Sequence, residues 1–103
     1  MSDVLERFLR YVKIDTESAR DSETYPSTAK QLELLRLLAD ELRQIGLRDV
    51  AMDQYGYVTA TLEATTSAPA PVIGFLAHVD TSPDFNGKDV RPQIVENYDG
   101  GDI

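Results

Sequence analysis

Val72-Ile73-Gly74-Phe75-Leu76-Ala77 is a run without a single polar side chain, and no other feature of the sequence narrows the fold as much. Successive residues of a strand face opposite sides, so an unbroken apolar run is apolar on both. It predicts a strand covered on both faces, as in the interior of an α/β sheet. A membrane span is excluded here. The wider apolar stretch from Ala68 to Ala77 holds ten residues, two of them proline, against the about twenty that a spanning helix needs. The run leads straight into His78-Val79-Asp80.

Upstream of it the hydrophobic period changes once. Val4, Leu5, Phe8, Leu9 and Val12 mark one face of a helix over Asp3–Lys13, with Asp3 and Glu6 as a candidate cap pair. Thr16 to Ser27 is polar and reads as a solvated loop. A longer helix follows, opened by a Thr28–Gln31 capping box and striped by Leu32, Leu35, Leu38, Leu42 and Ile45. Leu34 and Leu37 widen that stripe, which predicts packing on two surfaces. Gly46 is placed to end the helix in the left-handed conformation. Beyond it the period is two: Leu47–Asp53 and Tyr57–Glu63 flank Gln54-Tyr55-Gly56, a hairpin with Gly56 at the positive-φ position. The expected fold class is α/β, with two helices, then a strand hairpin and a buried central strand.

Composition excludes several functions. The 103 residues amount to one domain or part of one. Ten Lys+Arg against 18 Asp+Glu give a net charge of −8, which repels phosphate and argues against nucleic acid or an anionic membrane as partner. The absence of cysteine removes disulfides, thiol nucleophiles and thiolate zinc sites together. Acidic residues near the start stand where a secretory leader carries basic ones, so the expected location is cytoplasmic.

The chemistry concentrates at His78 and Asp80. In an extended backbone a residue and its i+2 neighbour share a face, so these two side chains project together while Val79 turns back. A neutral imidazole binds zinc through one ring nitrogen and commonly donates from the other to a carboxylate that fixes tautomer and orientation. His-x-Asp also recurs by chance, and a histidine that serves only as a structural hydrogen bonder stays open at this point. One histidine without cysteine cannot close a zinc site, which takes three or four protein ligands. Asp84, Asp89, Glu96, Asp99 and Asp102 are available, but their spacing selects none and reads as a solvated loop.

The long block from Gly74 to Asp84, with Asn86-Gly87-Lys88, Pro92 to Tyr98 and Gly100 to Ile103, resembles the tripeptide aminopeptidases of the M20 zinc metallopeptidase family. Leu5 to Leu9, Tyr11-Val12 and Pro26-Ser27-Thr28 resemble that group's opening. The resemblance implies that His78 ligates one of two zinc ions and that Asp80 orients it and counts among the catalytic residues. It further implies tripeptide substrates, hydrolysed at the N-terminal peptide bond by metal-activated water with a glutamate as general base. That glutamate, the bridging aspartate and a second histidine have no counterpart among the 103 residues. The expected organisation is therefore 1–103 as an N-terminal fragment of the M20 catalytic domain, without the lid domain and the remaining catalytic domain. Such a piece is expected to be inactive alone, and its unfinished sheet edges and apolar faces would allow self-association. Two alternatives stand beside this: another M20-type hydrolase (dipeptidase, carboxypeptidase or deacylase), or a stand-alone interaction module. Ser82-Pro83-Asp84 and Pro92 to Tyr98 favour the tripeptidase.

Overall fold

The computed structural model describes residues 3–103. Helix α1 spans Asp3–Tyr11, helix α2 Gln31–Ile45, strand β1 Arg48–Met52 and strand β2 Val58–Thr61. The two strands form an antiparallel sheet, so the α/β class stands. Helix α1 starts at Asp3, whose carboxylate accepts from Arg7 Nε at 3.0 Å, one turn on. Asp3 thus lies within the helix with its carboxylate on Arg7, and the expected Asp3–Glu6 cap pair is not found.

Helix α2 begins later than its Thr28–Gln31 pair suggested. Backbone bonds from Gln31 to Thr28 and from Leu32 to Ala29 wind a tight turn ahead of it, and no side chain caps it. The Thr28 hydroxyl accepts from Gln31 Nε2 at 3.0 Å but donates to the Glu17 carbonyl at 2.7 Å. It ties α2 to the preceding connector where a capping box would have bonded a helix amide. The other end follows expectation. Gly46 takes φ 99°, and the amides of Gly46 and Leu47 reach back to Arg43 and Leu42, satisfying the last carbonyls.

Leu34, Leu35 and Ala39 form the buried core of α2, with which the hairpin packs. Leu32 and Leu35 of the stripe reach the turn at Gly56, so one face of α2 meets the sheet, while Ile45 at the end of the stripe is 56% exposed. The second surface is polar. Glu41 is buried, with Arg7, Arg10 and Tyr11 of α1 gathered on its carboxylate. Gly56 has φ 89°, and Asp53 Oδ1 accepts from the amides of Tyr55 and Tyr57 at 2.9 Å each, closing the hairpin. A bulge lies between Arg48 and Ala51, with Asp49 at φ 52°.

The expected buried central strand is not found. Val72, Phe75 and Leu76 are between 94% and 100% exposed, and the run pairs with no strand among the described residues. A strand exists through its ladder and its cover. Here β1 and β2 pair only with each other, and the apolar side chains of the run stand largely bare. The connector after α1 is likewise more than a solvated loop: Thr16 is 3% exposed, and Glu17 forms an isolated parallel bridge with Thr81.

Candidate functional site

His78 and Asp80 stand side by side, as their spacing requires. His78 Nδ1 lies 2.9 Å from Asp80 Oδ1, and Val79 between them is half-buried. The imidazole is 84% exposed and the carboxylate 43%, so the pair sits on an open surface. With Nδ1 donating to Asp80, the lone pair on Nε2 is left for an electron-pair acceptor. The pair follows an unpaired segment, because the buried strand expected over Val72–Ala77 does not form. A surface depression of about 330 Å³ lies elsewhere, lined by residues between Val95 and Ile103.

One residue on, the chain is bonded to the connector. The Thr81 amide donates to the Thr16 carbonyl at 3.1 Å, and its own carbonyl accepts from the Ser18 amide at 3.0 Å and the Ser18 hydroxyl at 2.9 Å. Asp84 pairs with Arg20 of the same connector. Lys30, at the foot of α2, reaches Asp15 at 2.9 Å and Glu17 at 3.2 Å. The hydrogen bond from Lys30, joined by one from the Glu17 amide, holds the Asp15 carboxyl below its ordinary range, and Asp15 holds the Lys30 ammonium above its own. The sequence pattern did not bring Thr16, Ser18, Thr28 and Lys30 together with this segment. Thr16 and Thr81 are 65 positions apart, and nothing in local periodicity couples them.

The donor set tests what metal could be held. An exposed imidazole with a carboxylate on its other nitrogen fits one zinc ligand and its orienting partner. Among the described residues no group of three or more His, Cys, Asp or Glu gathers around a point that could hold a metal ion. Asp84 is committed to Arg20, and Asp99 Oδ1 accepts from the Gly101 amide at 3.0 Å. No described helix is long and apolar enough to cross a membrane.

No protein-family model matches the chain. Known proteins do. All 103 residues align with peptidase T of Clostridium botulinum strain Hall at 55% identity, and with peptidase T of Caldanaerobacter subterraneus subsp. tengcongensis at 59%. The chain is similar throughout to an N-terminal portion of peptidase T. It spans 25% of the length of each of these relatives. The aligned stretch takes in the connector, both helices, the hairpin and the His78–Asp80 segment.

Proposed function

We propose that residues 1–103 form the N-terminal part of the catalytic domain of a di-zinc tripeptide aminopeptidase of the M20 family. The observation that carries this reading is the whole-length identity of 55–59% to peptidase T, which includes the segment bearing His78 and Asp80. It speaks against a stand-alone interaction module and gives no support to a deacylase. His78 would hold one of two zinc ions through Nε2. Asp80, 2.9 Å from Nδ1, accepts that proton, fixes the tautomer and restrains the ring. Zinc, when bound, supplies polarisation of the scissile carbonyl and an acidified attacking water. The remaining ligands, the general base and the lid would come from a longer chain, in a cytoplasmic enzyme. The net charge of −8 on these 103 residues argues against nucleic acid and anionic membranes as partners of this part.

The test has two halves. The 103-residue chain alone should release no N-terminal residue from tripeptides and should bind zinc only weakly by calorimetry, because one imidazole does not preorganise a site. In a full-length protein opening with this sequence, tripeptide hydrolysis should vanish on chelation, return with zinc, and be lost in His78→Ala. Asp80→Ala should lower zinc affinity or activity about 10–100-fold. Hydrolysis indifferent to chelator, or cleavage from the C-terminal end, would overturn the assignment. Sedimentation of the isolated chain should also show concentration-dependent self-association through the exposed Val72–Leu76 run.

A further inference from the structure

An imidazole and a carboxylate two residues apart on a solvated, unpaired segment would ordinarily trade each other for water. Here no sheet ladder holds them, yet the chain is fastened immediately after Asp80. Both backbone groups of Thr81 are bonded to the connector, at Thr16 and Ser18. The connector is fastened in turn to the foot of α2: the Thr28 hydroxyl donates to the Glu17 carbonyl at 2.7 Å, and Lys30 grips Asp15 and Glu17 together. The loop beyond leans on the same anchor, since a Cβ on Gly87 would stand 2.6 Å from Asp15 Oδ1.

We propose that Thr28 and Lys30 are positioning residues for His78: acting through the connector they hold Thr81, and thereby keep the Asp80 carboxylate on His78 Nδ1. The inference rests on the reading of His78 and Asp80 as ligand and orienting acid, and adds the part of the fold that sets the ligand's tautomer. Helix α2 acts as the fixed point. Its foot, the connector and the Thr81 backbone form a continuous strap to the imidazole.

His78 is the sole histidine, so its ring nitrogens can be observed directly by long-range ¹⁵N–¹H NMR on the labelled chain. The tautomer is read on the neutral ring, reached by raising the pH until the two nitrogen shifts no longer change. The parent chain should show the Nδ1–H tautomer, with two well-separated nitrogen shifts. In Thr28→Val/Lys30→Met the two shifts should converge as the tautomers mix, and Thr28→Ser/Lys30→Arg should restore the separation. Gly87→Ala, which presses on Asp15 without touching α2, should cause convergence of the same kind. A parent ring already mixed or protonated on Nε2 would overturn the proposal. So would a double variant that keeps the Nδ1–H signature with its helical circular dichroism intact; where that variant loses its helix, an unchanged signature in Gly87→Ala overturns it. The readout uses no metal and no substrate. Failure here therefore leaves the zinc assignment standing, and failure of the peptidase assay leaves this result standing.

Discussion

Glu41→Ala should release helix α1 and lower stability by about 2 kcal/mol, seen as a fall of roughly 10 °C in the melting midpoint. The Glu41 side chain is 9% exposed and takes Arg7 Nη1 at 2.7 Å, together with Arg10 Nη2 and the Tyr11 hydroxyl. No residue of α1 is buried, and Val4 and Phe8 on its apolar face are largely exposed, so these bonds are the principal fastening between the helices. Arg7 and Arg10 remain open enough to regain water, which keeps the cost below that of stranding fully buried charges. The effect has a pH signature. Burial pushes the Glu41 carboxyl up, but hydrogen bonds from Tyr11 and Arg10 and the charges of Arg10 and Arg7 outweigh it, leaving a net fall below the ordinary value. A depressed carboxyl stabilises the fold above its unfolded value and loses that contribution as pH falls through its folded value. Acid titration of stability should therefore be steeper in the parent chain than in Glu41→Gln. Equal slopes would show that the carboxylate does not fasten α1.

Gly56→Ala should destabilise by about 2–4 kcal/mol in chemical denaturation, the largest loss expected from a single methyl group in this chain. Two independent costs meet there. A residue with a Cβ at φ 89° is strained by about 1–3 kcal/mol whatever surrounds it. The methyl would also stand 2.9 Å from Leu35 Cδ1 and 3.1 Å from Leu32 Cδ2, and overpacking of a core costs about 1–3 kcal/mol. The leucine ends can yield somewhat, which keeps the sum below the simple total. Gly46→Ala is the control. Gly46 has a similar φ of 99° but nothing within 4 Å, so it should show the backbone cost alone. Equal losses at both sites would mean that α2 does not press on the hairpin turn.

These two positions also show what was legible in the sequence. Gly46 and Gly56 were found because helix endings and hairpin turns are local, governed by the conformation of one residue within a periodic pattern. His78 and Asp80 were paired correctly for the same reason, since residues two apart share a face. Glu41 escaped. A glutamate on a helix reads as solvated, and its partners Arg7, Arg10 and Tyr11 lie 30 or more positions away. The strap from Thr28 through Glu17 to Thr81 escaped likewise, because a threonine before a helix predicts a cap and carries no mark of a carbonyl it could take instead. The run from Val72 to Ala77 misled in the opposite sense. Its composition states what environment the segment requires, and the environment itself depends on neighbours that periodicity does not name.

That same run carries a hazard for any newly made copy of the chain. A short, uncharged segment rich in valine, isoleucine and phenylalanine, left bare, is a template on which like segments stack into fibrils. The residues on either side act as gatekeepers. Pro69 and Pro71 cannot donate to an intermolecular ladder, and Asp80 puts a charge just beyond its far end. The span in which such stacking could spread is thereby confined to the few residues from Val72 to Val79.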